Sequence, residues 1–350
     1  MIVKGLTKEE LREYLHTLNL PGYRADQIYS WVYQKQARTW EEMTNLPQDI
    51  RQKFKAQDVS LGCLEAVAQT EATDGTIKYL FELPDGQRVE SVYLPEPDRR
   101  TVCLSTQAGC GMGCLFCATG QSGLIRNLTV AEIVDQVLSI SRTGGGRIDN
   151  LVIMGQGEPL VNYDAVLKAI RIFNDPEGLG IGARHITVST CGFVPGIYKL
   201  SDEPLQVNLA ISLHSADDEL RNFLMPINKK YSLKELWESC RIYSSKTGRR
   251  ITFEYVMIDG VNDRDSDLEK LIKAMTGILA RIPCHVNLIP LNPIPNLKFK
   301  SSNAWRLKEF SNRLNQAHIE TTIRKERGRS LAAACGQLAA RAPEGKGGDD

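Results

Sequence analysis

Apolar residues recur at helical spacing near the start of the chain: Leu11, Tyr14, Leu15 and Leu18 share one face behind a Thr7/Glu10 pair with capping-box spacing. Ala25, Ile28, Tyr29 and Trp31 predict a second helix. Trp40 to Phe54 predicts a third, with Asn45-Leu46-Pro47 between its halves. Residues 1–60 thus read as a helical accessory module. Beyond them the period falls to two. Thr76–Leu83 and Arg88–Leu94 alternate on either side of Pro84-Asp85-Gly86, which predicts a β-hairpin closed by turn residues. Pro95-Glu96-Pro97 interrupts the pattern, so 61–97 reads as a β-hairpin linker.

From about residue 100 short β-rich runs alternate with helical patterns. The predicted strands are Thr101–Thr106, Asn150–Met154, His185–Thr190, Val207–Leu213, Ile251–Ile258 and Cys284–Leu291. Thr129 with Glu132 and Ser232 with Glu235 mark helix starts between them. Six strands separated by helices imply parallel βαβ units and an α/β fold. Pattern alone leaves a doubly wound sheet and a barrel both open, because both use this alternation. Residues 343–350, rich in Gly and charge, have the composition of a disordered tail.

The 350 residues carry 43 Lys and Arg against 42 Asp and Glu, a formal net charge of +1. A protein that grips nucleic acid by bulk electrostatics has a basic excess, so any such role falls to local patches. The candidates are Arg324, Lys325, Arg327 and Arg329; Lys229, Lys230, Arg249 and Arg250; and Arg51, Lys53 and Lys55. Hydrophobic residues at 42% give material for a sizeable core. No apolar run reaches the roughly 18 to 20 residues of a membrane span, and the first residues turn charged before a signal-peptide core can form. A cytoplasmic protein with no membrane role is expected. Nine cysteines, an odd number, fit a reducing compartment better than a disulfide scaffold.

Three of them form Cys110-Gly-Met-Gly-Cys114-Leu-Phe-Cys117, a C-x3-C-x2-C array directly after the first predicted strand. Gly109, Gly111 and Gly113 let the backbone wrap closely around a bound object. Structural zinc usually takes four protein ligands, whereas an iron–sulfur centre can be held by three thiolates with one iron left open. Packed thiols, or a zinc knuckle with a distant fourth ligand, are the plainer readings. The array, with Phe116 before its last cysteine, resembles the radical S-adenosylmethionine (SAM) superfamily. That resemblance implies a partial (β/α)6 barrel over 98–320 and a 4Fe–4S cluster on Cys110, Cys114 and Cys117 whose open iron binds SAM. It also implies SAM contacts at C-terminal strand ends: Gly157 and Glu158, Ser189, Ser212, Leu213 and His214, and Asn292. An isolated histidine is ordinarily a satisfied core residue; the strand-end position of His214 argues for a ligand.

Further phrases narrow the resemblance. Cys103 lies in the first strand and Cys335 in Ala332-Ala-Ala-Cys335-Gly-Gln-Leu338. Together with Gly22-Tyr-Arg-Ala-Asp-Gln-Ile28, Arg88-Val-Glu90-Ser-Val92, Arg126-Asn-Leu-Thr129, Leu224-Met-Pro-Ile-Asn228 and His285-Val-Asn-Leu-Ile-Pro290, they resemble the RlmN/Cfr family of RNA adenosine methyltransferases. The resemblance implies a ping-pong methyl synthesis using two SAM molecules per turnover. In it Cys335 carries the carbon as S-methylcysteine, and Cys103 resolves the enzyme–RNA adduct by forming a disulfide with Cys335. Glu90 is the implied acid/base carboxylate, although on pattern alone it is a solvent-facing strand residue. Residues 321–342 would supply a last strand and the catalytic cysteine loop, where Gly328-Arg-Ser-Leu331 departs from the family's phrase. Cys63, Cys191, Cys240 and Cys284 match no role and read as packed thiols.

Gly157-Glu158-Pro159 and Asn228-Lys-Lys-Tyr231 favour methylation of adenine C2 over C8. The implied partners are large-subunit ribosomal RNA, tRNA at the adenosine 3′ of the anticodon, and a flavodoxin- or ferredoxin-like electron donor, with the protein a monomer. The competing functions are a radical SAM enzyme that uses neither Cys103 nor Cys335, and a zinc-binding RNA adaptor.

Overall fold

The computed structural model describes residues 1–292, 294, 298–325 and 336–338. Expectations for Cys335, Arg327, Arg329 and the tail at 343–350 lie outside the described residues. At the N-terminus, helices α1 (Lys8–Thr17), α2 (Tyr23–Tyr33) and α3 (Gln48–Ala56) pack together. The Thr7/Glu10 capping box forms as its spacing predicts. The third predicted helix is divided: Trp40–Glu42 makes one 3-10 turn and α3 begins only after Pro47, which occupies its N-cap. Proline cannot sit inside a helix without clashing with the preceding turn, so the break falls there. Trp40 bridges the gap, stacking on Phe54 at 4.6 Å and donating its indole N–H to Val59 O at 2.8 Å.

The main sheet is built from β1 (Ala66–Glu71), β2 (Ile77–Glu82), β3 (Arg88–Glu96), β4 (Arg99–Cys103), β7 (Asn150–Ile153), β8 (Ile186–Thr190), β9 (Asn208–Ser212), β10 (Ile251–Met257), β11 (Cys284–Pro290) and β12 (Thr321–Ile323), in that spatial order. A separate ribbon pairs β5 (Gln107–Cys110) with β6 (Gly123–Asn127). Strands β1 to β4 run antiparallel, and every pairing from β4 onward is parallel. A doubly wound sheet reverses direction at a switch point; this one follows chain order without reversal, so it is the barrel form, with β1 and β12 as open edges. The predicted hairpin is not free-standing. Val92 pairs with Cys103, so β1–β3 continue the barrel sheet past its first parallel strand.

The intervening helices bury apolar faces against the parallel strands. In α5 (Val130–Ile140), started by the Thr129/Glu132 box, Ile133, Val134, Val137 and Leu138 are buried. The same helix receives the N-terminal module: Asp135 Oδ1 lies 2.8 Å from the fully buried Lys4 Nζ. Cys63, expected to be packed, is exposed, whereas Cys240 is in the core. Among the described residues no helix is long and apolar enough to cross a membrane.

Candidate functional site

The cysteine array opens from β5. Gly109 has φ +73, and a Cβ there would stand 2.0 Å from Gly123 O, so only glycine lets β5 and β6 close into the ribbon that launches the loop. Downstream, Cys117 caps the short helix α4 (Ala118–Gln121). The helix Asp218–Leu224 holds the loop, with Leu115 N donating to Leu224 O at 3.0 Å. Cys110, Cys114 and Cys117 all line one cavity of about 160 Å³ at the C-terminal ends of the strands. Burial pushes the Cys110 thiol up to about 11 and the Cys114 thiol further still. Among the described residues no three thiol, imidazole or carboxylate groups converge to grip a single metal ion. The donor set suits a larger, thiophilic centre: three thiols on a glycine-rich loop around one shared space.

Six of the other expected contacts meet the thiols there. Gly157, Glu158, Ser189, Ser212 and His214 line the same cavity, as does Asn292. Gly157 has φ +103, and a Cβ on it would collide with Gln107 Cβ at 2.6 Å. The buried Glu158 carboxylate accepts from Cys191 N at 2.8 Å and Leu160 N at 3.1 Å; burial nonetheless pushes its pKa up. His214, at φ +57, accepts Val256 N–H on Nδ1 at 2.9 Å, which leaves the proton on Nε2. Burial, reinforced by Arg221, holds its pKa down to about 3, so the ring is neutral. Phe116 meets the imidazole edge-on at 4.7 Å between ring centroids. Leu213 stands apart, its side chain in the core and outside the cavity wall.

A second cavity, about 830 Å³, adjoins the first and shares Cys117, Thr119, Gly155, Asn292 and Gly336 with it. Cys103 lines only this larger space and packs with Val92 and Leu338. Gly336 O accepts from Ala118 N at 2.7 Å, and Leu338 O from the Thr119 hydroxyl at 2.6 Å. Glu90 is buried, not solvent-facing: Lys78 Nζ lies 2.9 Å from Oε1, and Gln156 Oε1 accepts its backbone N–H. On β3 it shares a face with Val92 and Leu94, both of which line the larger cavity.

Sequence reasoning missed the polar frame around these residues. Gln107 Oε1 accepts Glu158 N–H, Gln156 links Glu90 to the glycine loop, and Cys191 lines the cavity as well as packing. It also missed Arg221, which is fully buried beneath the site; its position three residues before Leu224-Met-Pro was the available signal. Of the basic groups, Arg324 and Lys325 line the larger cavity, while Arg250 pairs with Glu320 and Lys55 with Glu41.

Comparison with known proteins matches residues 104–273 to the radical SAM superfamily and residues 3–59 to the ribosomal RNA large subunit methyltransferase N-terminal domain. The chain is 48% identical to the "Probable dual-specificity RNA methyltransferase RlmN" of Pelotomaculum thermopropionicum, over 96% of this chain and 90% of that protein. It is 46% identical to the protein of the same description from Thermoanaerobacter sp., over 96% and 97%. The crystal structure of a radical SAM methyltransferase from Sphaerobacter thermophilus superposes with a TM-score of 0.92 at 46% identity, covering 97% of this chain and all of that one (100%).

Proposed function

The chain belongs to the RlmN family of radical SAM RNA methyltransferases, and from that premise we propose that it methylates C2 of one adenosine in large-subunit ribosomal RNA, and the adenosine 3′ of the anticodon in tRNA, through an S-methylcysteine at Cys335. Gly336 to Leu338 carry this reading. They follow Cys335 directly, hydrogen-bond to the cysteine loop at Ala118 and Thr119, and bring Leu338 against Cys103.

Cys110, Cys114 and Cys117 would hold a 4Fe–4S cluster, which with SAM bound beside it would supply one-electron reductive cleavage of SAM to a hydrogen-abstracting radical. Glu158, its carboxylate fixed by two backbone donors, offers oxygen to the SAM ammonium. Ser189, Ser212, His214 and Asn292 line the same wall and orient the cofactor's remaining polar groups. Cys335 first takes a methyl by displacement, which requires its thiolate. After loss of one hydrogen atom, the carbon on Cys335 sulfur adds to adenine C2, a position too poorly nucleophilic to attack SAM directly. Glu90 accepts the C2 proton. The adduct's odd electron would return to the oxidised iron–sulfur centre; the Cys103 thiolate then attacks Cys335 sulfur, so that the S–S bond forms, the C–S bond breaks, the carbon keeps the bonding pair and takes the proton held on Glu90, and the methylated base leaves. Arg324 and Lys325 offer charge to RNA phosphates beside an extruded base. A flavodoxin- or ferredoxin-like protein supplies the electron.

Mass spectrometry of anaerobically reconstituted protein is expected to find a methyl group on Cys335, and digested product RNA to contain 2-methyladenosine. Product that is 8-methyladenosine overturns the regiochemistry. A Cys335→Ala variant that methylates RNA at the wild-type rate overturns the mechanism.

A further inference from the structure

Arg221 heads the described residues as the largest fully buried side chain, and no ion pair among them reaches it. Its donors all end on neutral oxygens: Nε on Leu213 O at 3.1 Å, Nη2 on Cys191 O at 2.7 Å and Ser212 O at 3.2 Å, and Nη1 on Asn228 Oδ1 at 2.6 Å. A guanidinium stays charged in a protein, so it cannot relieve burial by losing its proton as a lysine would. Carbonyl dipoles alone are poor compensation for a cation taken out of water. The Asp218 carboxylate bears on the guanidinium only through the Asn228 amide and does not touch it, so the arrangement calls for a further anion close by.

The structure indicates where that anion belongs. Cys191 and Ser212, whose carbonyls Arg221 grips, line the small cavity with the three thiols, and Leu224 on the same helix anchors the cysteine loop at Leu115. The field of Arg221 reaches the Cys114 thiol and the His214 ring. Three thiolates around a 4Fe–4S core of charge 2+ amount to one net negative charge, which becomes two when an electron is taken up. We propose that Arg221 is the fixed counter-charge of this centre, a positioning residue that favours its more negative state and so raises its reduction potential. The inference rests on the cluster reading of Cys110, Cys114 and Cys117.

The test is a reductive titration of the anaerobically reconstituted full chain, followed by electron paramagnetic resonance and accompanied by iron analysis. Arg221→Gln is expected to lower the midpoint by at least a tenfold change in the reduction equilibrium, 59 mV for one electron. Arg221→Lys, which keeps the charge, is expected to stay within about threefold of wild type. Because both lose hydrogen bonds, Asn228→Asp combined with Asp218→Asn serves as a second probe. Asn228 Nδ2 now donates to Asp218 Oδ1 at 2.9 Å, so this exchange moves an existing carboxylate onto Nη1 while the guanidinium stays in place. A downward shift there supports the counter-charge; an unchanged midpoint in Arg221→Gln, or in the double variant if Arg221→Gln holds no iron, overturns it. Wild-type protein that takes up no iron–sulfur cluster instead overturns the cluster reading, and the inference with it.

Discussion

His214 makes the stability of the apoprotein sensitive to mild acid. Burial holds its pKa at about 3, against 6.5 for an ordinary histidine, so the folded ring stays neutral while the unfolded chain takes up a proton below about pH 6.5. The unfolded state binds the extra proton, so stability present above pH 6.5 is lost as pH falls, until the folded ring also titrates near 3. At pH 5.0 the loss from this one group is about 2 kcal/mol. His214→Asn isolates it. Asparagine tolerates the positive φ of 57°, and its Oδ1 replaces Nδ1 as acceptor for Val256 N–H. Losing the ring contact with Phe116 costs about 1 kcal/mol at any pH. Urea unfolding of both apoproteins at pH 7.5 and 5.0 should show wild type losing about 2 kcal/mol more than the variant between the two. Equal losses would refute the linkage.

Other perturbations separate structure from chemistry. Lys4→Met strands Asp135 in the interface between helical module and barrel, with Arg142 at 3.6 Å as the remaining cation; thermal unfolding should report a loss of about 3–5 kcal/mol, largely recovered by adding Asp135→Leu. Gly157→Ala meets both positive φ and Gln107, so a cost of about 1–3 kcal/mol and a SAM affinity weakened at least tenfold, by equilibrium dialysis, are expected. Gly86→Ala, also at positive φ but with nothing within 4 Å, should leave SAM binding unchanged. On the proposed mechanism, Cys103→Ala should accumulate RNA covalently joined to protein, visible as a retarded band under denaturing conditions; clean turnover without that band would remove Cys103 from the release step.

The central parallel strands are legible because they are covered on both faces and read as short apolar runs: the pattern predicts Val207–Leu213 where Asn208–Ser212 forms. The β5/β6 ribbon was not, since Gln107-Ala-Gly-Cys110 has little strand propensity and closes only through the approach of Gly109 to Gly123. Glu90 was misplaced for the converse reason. Alternation reports exposure only when one face of a strand meets water; on β3 Ser91 bonds Gln136 of α5 on one side, while Val92 and Leu94 face the cavity on the other. Arg221 lies two residues after Asp217-Asp218-Glu219, a charged run that gives no sign of burial. Its burial is set by the carbonyls at the ends of β8 and β9, 30 and 8 residues back along the chain, that converge on it.

The thiols are divided between two spaces, and the proposed chemistry needs that division. Cys110 and Cys114 line only the smaller cavity, Cys103 only the larger, and Cys117 both. A resolving thiol must attack sulfur as a thiolate, yet a thiolate with access to iron is itself a ligand, and a fourth cysteine on the cluster would block the site where SAM has to bind. The two sets must therefore lie within one chain segment's reach of each other and still be kept apart. Thr119 and Gly155 stand in the shared wall: the Thr119 hydroxyl pins Leu338 against Cys103, and Gly155, with Leu104 O only 2.5 Å from where its Cβ would be, brings backbone into that wall. Widening the wall with Thr119→Ala, which frees Leu338 O, should then let Cys103 compete for iron. Such a variant would keep its iron but lose SAM affinity, and adding Cys103→Ala would restore it.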